Sequence, residues 1–458
     1  MTFNWESILT WTAVTGLVVG LVVPNWLRHR RRHLESLKRF EEAKELGIDK
    51  ARAQFPHIDP MLCIGCGSCV KACPEYDVLA VIRGIATVVN GQRCVGHGKC
   101  EDVCPVGALT VGLGDTSDRD DIPILSSHQE TSVPGLYIAG ELGGISLIRN
   151  AISQGRISVE HIVASLPDDR DRTVTDVLIV GSGPAGLTAA LTAIHHNLSH
   201  IVLERSEAGG TIAHYPRRKL VMTQPVEIPM YGKLKQPEYE KEALLDIWND
   251  IIRRFEVNIH SNQDLTGLRQ DGDAFLVQTA ARQYRSHRVV LCLGRRGTPR
   301  KLGVPGEELP KVVYQLVDAQ SYQGRRVLVV GGGDSAVEAA IALGRQPDTE
   351  VTISYRKRGF PRIKKKNEDR VNQLIGENRI HPVFESTVQS IDEASVTLAT
   401  PGEPVTMAND DVIVLAGGIP PFEMLKGMGI QFGGERVGHH QPTTTLRELA
   451  TVSSNAVV

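Results

Sequence analysis

Residues 176–204 read DVLIVGSGPAGLTAALTAIHHNLSHIVLE, and the rest of the chain arranges itself around them. An apolar strand at 177–180 runs into Gly181, Gly183 and Gly186. A helix-prone run follows, then a second apolar strand that ends in Glu204. Strand, glycine turn, helix, strand and acid in this order make a dinucleotide-binding βαβ unit. Gly181 permits the tight turn, Gly183 lets the backbone approach a pyrophosphate, and Gly186 lets helix and strand pack closely. Ser182, Pro184 and Ala185 complete the turn. The helix N-terminus then offers free N–H groups and a positive dipole end to the pyrophosphate. Glu204 can accept hydrogen bonds from a ribose diol. A lone glycine triplet is weak; with strands, helix and acid all in place, a chance glycine-rich turn is a poor explanation.

The chain has 458 residues, enough for roughly three domains. Its formal net charge is −2, which argues against a nucleic-acid binder. Of 8 cysteines, seven lie between Cys63 and Cys104, and the eighth is Cys292. That clustering suits a metal cofactor better than a spread of structural disulfides.

Residues 8–27, ILTWTAVTGLVVGLVVPNWL, carry no charge. About twenty helical residues span roughly 30 Å, the thickness of a bilayer core. Trp5, Trp11 and Trp26 fall near the expected interfaces, and Arg28, Arg30, Arg31 and Arg32 follow at once. The positive-inside rule places everything after this span in the cytoplasm, as the soluble part of a single-pass protein of the cytoplasmic membrane. A cleaved leader fits poorly, because Glu6 precedes the apolar run, no base does, and no small-x-small site follows. Gly16 and Gly20 form a G-x-x-x-G pair that would suit a homodimer, although such pairs are more often incidental. Residues 34–53 are charged and helix-prone and read as a juxtamembrane spacer.

Cys63-x2-Cys66-x2-Cys69-x3-Cys73-Pro74 has the spacing of the bacterial ferredoxin run for a cubane iron–sulfur cluster. Cys94-x2-His97-x2-Cys100-x3-Cys104-Pro105 repeats it, with a histidine at the second position. Zinc asks for two x2-spaced pairs and explains neither the third cysteine of the first run nor the Cys-Pro endings. The two runs resemble a two-cluster ferredoxin domain over about residues 56–114. That resemblance implies that Cys63, Cys66, Cys69 and Cys104 share one [4Fe-4S] cluster. Cys94, Cys100 and Cys73 would hold the second, with His97 at the fourth corner. Two readings of that corner stand level: His97 ligates a second [4Fe-4S] cluster, or it is a bystander to a [3Fe-4S] cluster.

Residues 121–166 include DIPILSSHQETSVPGLYIAGELGGISLIRNAISQGRISVEHI. This resembles the carboxy-terminal flavin-contacting element of the thioredoxin reductase and glutathione reductase class. There an apolar strand ends in Gly-Asp, and a helix starts beside the flavin. Here 136–139 is the strand, Gly140 and Glu141 replace Gly-Asp, and the helix begins near 146–148 with Leu147 and Ile148 at its start. In that class the element comes last; here it precedes the Gly181 turn, which implies a circularly permuted FAD domain. Gly209, Gly210 and Thr211 resemble the segment beside the isoalloxazine, and the strand ending at Gly294 the one returning to the second domain.

RVLVVGGGDSAVE at 326–338 is a second strand–glycine–helix turn, with Gly331, Gly333 and Ala336 at the three positions and Asp334 and Ser335 between. The strand at 350–355 ends not in an acid but in Arg356, Lys357 and Arg358, with Arg362 beyond. A basic cluster there suits the 2′-phosphate of NADP; the bland alternative is a solvated basic loop. The stretch DVIVLAGGIP at 411–420 resembles the strand that re-enters the FAD domain. His195 with His196, and His439 with His440, lack ligand-spaced partners and read as surface residues.

The expected architecture is an α/β protein of two Rossmann-like dinucleotide-binding domains, with a small α+β ferredoxin-like iron–sulfur domain and one N-terminal transmembrane helix. The boundaries expected are 1–27 anchor, 28–55 linker, 56–114 iron–sulfur domain, 121–166 permuted element, 173–305 FAD domain, 306–408 NAD(P) domain, 409–434 return strand and 435–458 polar tail. The function expected is an oxidoreductase that passes electrons from NADPH through FAD to iron–sulfur clusters and a redox partner: a ferredoxin, a quinone or a membrane cytochrome system. No residue is obligatory for hydride transfer, so no catalytic acid or base is assigned. No dithiol stands beside the flavin segment, since Cys292 is alone, so thioredoxin-type chemistry does not fit. A flavin enzyme that reduces a small disulfide directly, and a non-catalytic redox sensor or subunit of a membrane complex, are the two competing readings.

Overall fold

The structure is a computed structural model that describes residues 5–45, 47, 49, 54–113, 121–144, 147–223, 225–236, 238–361 and 363–433. Arg362 and the expected polar tail at 435–458 lie outside them. Backbone contacts divide the chain into two compact units, one mainly before residue 111 and one mainly from Val111 onward.

The first unit starts with a single helix, Trp5–Glu45. Its apolar side chains from Leu9 to Leu27, among them Trp11, Leu17 and Leu21, are exposed. It is long and apolar enough to cross a membrane, a test that a leader sequence near an N-terminus also passes. Past Leu27 the helix becomes part of the fold. Leu37 and Phe40 pack on Ala80, Ile82 and Val89. Arg39 reaches Asp77 at 2.9 Å, and the buried Arg93 reaches the other Asp77 oxygen at 2.8 Å. The partner surface is an antiparallel hairpin of Leu79–Ile82 and Ile85–Val88. Short helices Ser68–Ala72 and Lys99–Asp102 carry Cys69 and Cys100, the third ligand position of each run, and Gln54–Ile58 pairs with Leu109–Leu113. Within the described residues the helix ends at Glu45, and residues 50–53 of the expected spacer lie outside them.

The second unit holds two parallel-centred sheets. In the first, Thr175–Val180 lies between His200–Leu203 and Gln283–Leu291, parallel to both. From Val177 to Leu178 and Ile179 it is completely buried, as a strand covered on both faces must be. Leu136–Ile138 joins the same seven-stranded sheet, parallel to Gln283–Leu291 with Val289 opposite Leu136. The helix that follows it, Ile148–Ser165, lies against the turn helix Pro184–His195. At the crossing, a Cβ on Gly155 would stand 2.2 Å from the Ala185 carbonyl oxygen. Residues 136–138 thus join the sheet that carries the Gly181 turn, and the helix after them packs on the turn's own helix.

The second sheet is five-stranded: Val312–Val313, Asp411–Val414, Arg326–Val330, Glu350–Tyr355 and Ile380–Phe384, all parallel. A three-stranded antiparallel sheet, Thr387–Ile391, Ser395–Ala399 and Val405–Ala408, accompanies it. This corrects the reading of 409–434 as a return strand of the first domain. Asp411–Val414 pairs with Arg326–Val330 and completes the second sheet. The return begins at Gly418–Ile419, which pairs with Thr298–Pro299, and ends where Leu425, Ile430 and Phe432 enter the first core. A short strand buried on both faces reads the same in either parallel sheet, so its pattern did not distinguish them.

Gly155→Ala should therefore lower stability by about 1–3 kcal/mol through overpacking of the helix crossing. Gly376→Ala, where an added Cβ meets nothing within 4 Å, is the control and should not destabilise. Thermal unfolding of the two variants beside the parent checks this.

Candidate functional site

The carboxyl ends of the first sheet open on a cleft of about 1640 Å³, including the part open to solvent. That exceeds the roughly 300–1,000 Å³ of a drug-sized ligand site and leaves room for a dinucleotide. Gly181 adopts φ +107°, and a Cβ there would meet the Cys292 carbonyl oxygen at 2.4 Å. Gly186 sits against the Gly181 carbonyl, where a Cβ would come within 1.8 Å. At Gly183 the nearest atom to a Cβ is 4.0 Å away, so this is the side of the turn open to a ligand. Pro184 opens the helix, where its missing N–H costs nothing.

Glu204 is buried. Its Oε2 accepts hydrogen bonds from the Ser182 amide (2.9 Å) and hydroxyl (2.7 Å), and its Oε1 accepts from the Ser206 amide (3.0 Å). The acid at the end of the second strand thus ties back to the glycine turn while lining the cleft. Gly140, Glu141, Leu147 and Ile148 line the opposite wall, and Gly210, Thr211 and Gly294 another. Of the expected set, Gly209 and Gly186 do not line it. Gly209 takes φ +111°, with a Cβ position 2.8 Å from Leu245, and its amide donates to Ser182 Oγ at 3.3 Å. Both support the wall rather than form it.

Glu141 is open to the cleft, yet the surrounding protein desolvates its carboxyl and raises its pKa, an effect that Arg295 partly offsets. Four residues outside the expected binding set also shape this site. Gln154 is buried on the Ile148–Ser165 helix, and its Oε1 accepts the Gly140 amide at 2.8 Å, which fixes the loop bearing Glu141. Tyr215 lines the cleft, its hydroxyl pKa pushed up to about 12 by burial and by the charges of Glu141 and Glu338. His214 and Arg296 line it as well, and burial lowers both pKa values. Only the positions of Gly140 and Tyr215 beside known motifs could have pointed to them. Cys292 also lines the cleft, and burial pushes its thiol well above the usual range.

At the second turn Gly331 takes φ +144°, with a Cβ position 2.4 Å from the Leu415 carbonyl oxygen. Ala336 is fully buried beneath it, and Gly333 opens to space with nothing within 4 Å. Gly332, a free position in the motif, is pinned here: the Tyr355 ring lies 2.3 Å from where its Cβ would be. Asp334 is occupied in holding the next segment, accepting from the Lys364 amide (2.9 Å) and Asn367 Nδ2 (2.7 Å). Ser335 lies beside it in the first turn of the helix. Arg356 is exposed and Lys357 half-buried. Arg358 Nε donates to Glu385 Oε1 at 3.0 Å, which diverts one of the expected cations.

In the first unit, Cys63, Cys66, Cys69 and Cys104 ring one cavity of about 340 Å³, otherwise walled by apolar residues such as Ile58, Ile64 and Leu109. The Ala86 amide donates to Cys63 Sγ at 3.4 Å, and the Ser68 hydroxyl, 3.5 Å from Cys66 Sγ, lowers that thiol's pKa. Gly65 takes φ +67°, and a Cβ there would meet the Gly84 carbonyl at 2.1 Å, so the loop has no room for a side chain. Four thiols around an apolar void fit a cubane cluster. Among the described residues no three His, Cys, Asp or Glu side chains converge as a single metal ion would need. Cys73, Cys94 and Cys100 form the other group. Burial and the charges of Cys94 and Cys73 push the Cys100 thiol up to about 12. His97 is buried. His195 and His196 stand edge to face at 5.0 Å.

Residues 178–448 match the family model of pyridine nucleotide-disulphide oxidoreductases, and residues 55–105 match that of a 4Fe-4S dicluster domain. The chain is 26% identical over 269 residues to a ferredoxin–NADP reductase of Ignicoccus hospitalis, covering 57% of this chain and 83% of that one. It is 29% identical over 273 residues to a thioredoxin reductase of Bacillus subtilis, covering 57% and 79%. Among solved structures, the bacillithiol disulfide reductase of Bacillus cereus superposes with a TM-score of 0.52 at 27% identity, over 56% of this chain and 82% of that one. The first family model spans more than half of the sequence; the chain belongs to the pyridine nucleotide-disulphide oxidoreductases, flavin-dependent NAD(P)H enzymes, and carries a 4Fe-4S dicluster domain ahead of that region.

Proposed function

We propose that this protein is a membrane-anchored, NADPH-dependent iron–sulfur flavoprotein that exchanges single electrons with a redox partner. One observation carries the reading: a chain with two nucleotide turns in one unit also rings a cavity with four cysteines drawn from both ferredoxin-type runs. A direct disulfide reductase has no use for that cavity. When bound, FAD supplies hydride acceptance and one-electron release, and the clusters supply one-electron carriage.

The chain's own residues bind and orient. The open face of Gly183 and the N–H groups at the start of the Pro184–His195 helix receive a pyrophosphate. Glu204 presents its carboxylate to a ribose, and the helix starting at Ile148 turns its positive end toward the flavin ring. Glu141, held by Gln154 through Gly140, borders the same pocket. The Gly331 turn receives the second nucleotide, with Arg356 and Lys357 beside its 2′-phosphate. Residues 121–166 act as a circularly permuted part of the FAD domain. Cys63, Cys66, Cys69 and Cys104 hold one [4Fe-4S] cluster, and Cys73, Cys94 and Cys100 a second, with His97 as the fourth ligand or as the neighbour of a [3Fe-4S] cluster. The apolar helix is a single span, with both units on the cytoplasmic side.

The likeness to a bacillithiol disulfide reductase supports a second reading, in which a small disulfide is reduced directly at the flavin cleft. Anaerobic titration with NADPH and then NADH, followed by visible absorbance and low-temperature EPR, separates the two. Under the electron-transfer reading, NADPH bleaches the flavin and iron–sulfur signals appear. If the flavin reduces while both clusters stay silent in a protein whose clusters respond to a strong chemical reductant, the small-disulfide reading prevails. Arg356→Ala with Lys357→Ala should raise the KM for NADPH by about tenfold or more, the worth of one charge-assisted hydrogen bond, and leave that for NADH unchanged. Cys104→Ala should remove the same cluster as Cys66→Ala, and Cys100→Ala the other. Iron content and EPR line shape of the three variants provide the check.

A further inference from the structure

The charged groups that line the flavin cleft are not evenly matched. Its acids are Glu141, Glu204 and Asp264, and its basic groups are Arg205, His214 and Arg296. Cations next to these have acid partners. Arg295 pairs with Asp121, Lys219 with Glu338 at 2.8 Å and Arg217 with Asp318 at 3.6 Å. Among the described residues no acid pairs with Arg205, His214 or Arg296. Glu204 is engaged by Ser182 and Ser206, Asp264 is exposed to water, and the charge that acts on Glu141 is that of Arg295.

Arg296 is the sharpest case. It is half-buried, burial opposes its charge, Arg205 repels it, and no carboxylate is among the groups that act on it. Burial lowers the His214 pKa, and the charges of Arg296 and Arg205 lower it further. Tyr215 stays protonated, and among the described residues its hydroxyl has no hydrogen-bond partner. A half-buried cation without a counter-charge is costly, and it marks a place where a ligand supplies the anion. A guanidinium grips a carboxylate or phosphate through two parallel N–H bonds, and a histidine and a tyrosine can each donate one more. The Gly181 turn receives a pyrophosphate through backbone N–H groups and does not call for this cation.

Resting on the assignment of this cleft to FAD, and on neither route of electrons in particular, we infer that Arg296, His214 and Tyr215 form an oxyanion subsite in the cleft, fit for a carboxylate or phosphate group. That group belongs either to the bound dinucleotide or to a separate small anion that enters beside the flavin. The recognising chemistry is the same for both sources: two parallel bonds from the guanidinium, and one each from imidazole and phenol. The subsite holds and orients a charged group and takes no part in bond making.

The test uses full-length protein in detergent micelles, loaded with FAD, kept oxidised and free of pyridine nucleotide. Two dissociation constants are read. That for FAD comes from the flavin fluorescence released on dilution, and that for citrate, a tricarboxylate probe, from the change it causes in flavin absorbance. Arg296→Gln should raise one of the two by about tenfold, the worth of one charge-assisted hydrogen bond. Tyr215→Phe, which removes only a hydroxyl, should raise the same constant by about fivefold. Arg296→Lys keeps the charge without the fork and should fall between parent and Arg296→Gln. A rise in the FAD constant identifies the dinucleotide as the source of the anion. A rise in the citrate constant, with FAD held as tightly as before, identifies a separate anion. Arg253→Gln removes an exposed charge outside the cleft and should change neither. An unchanged FAD constant in Arg296→Gln and Tyr215→Phe, with citrate binding unchanged or undetectable in the parent, overturns the subsite. So does an equal rise in Arg253→Gln, which reports long-range charge alone. Because no NADPH is added, this outcome is independent of the NADPH titration, whose failure sinks the electron-transfer reading by itself.

Discussion

A carbonyl oxygen and a missing side chain decide the architecture of the nucleotide-binding unit. The Ala185 carbonyl lies 2.2 Å from the place a Cβ on Gly155 would take, so the two helices there touch backbone to backbone. That contact brings residues 121–166 against the glycine turn. It lets Leu136–Ile138 reach its place beside Gln283–Leu291 and sets Gly140 where Gln154 can hold it. The cleft has one wall from each side of this crossing. Any residue larger than glycine at 155 would push the two helices apart.

Charge within the cleft follows from the same packing. The Glu204–Ser182 bonds and the start of the Pro184–His195 helix organise the end of the cleft at the glycine turn, where free N–H groups gain most from a charged ligand. At the other end Glu141, Tyr215, His214 and Arg296 sit in surroundings that oppose charge, and their pKa values move accordingly. A neutral tyrosine between two carboxylates, beside an arginine, makes a pocket whose polarity depends on what occupies it. The second nucleotide turn is built differently. There the Tyr355 ring covers Gly332, and Arg358 pairs with Glu385, leaving Arg356 and Lys357 as the cations nearest the end of the strand.

The first unit shows how a helix whose described side chains are exposed from Leu9 to Leu27 becomes structural over its other half. Its exposed apolar part has the length of a bilayer crossing, while Leu37, Phe40 and Ala43 belong to the core of the iron–sulfur unit. An anchor joined by a flexible linker would let that unit wander. A continuous helix whose far half packs on the hairpin holds it in place.

The glycine turns, the basic end of the Glu350–Tyr355 strand, the apolar span and the two cysteine runs were legible in the sequence because each does its work within one covalent stretch. A turn, its helix and its acid lie within thirty residues, and ligand spacing is a property of the local chain. Other features depended on contacts between distant segments. Asp411–Val414 looked like a return strand, and only its hydrogen bonds to Arg326–Val330 show that it completes the second sheet. Gln154, Tyr355 over Gly332 and the packing of Phe40 on Ile82 carry no motif, since each matters through a partner far away in the chain. The residues themselves specify which chemistry is available. Which of them meet is settled by backbone packing, where a few tenths of an ångström at a glycine separate contact from collision.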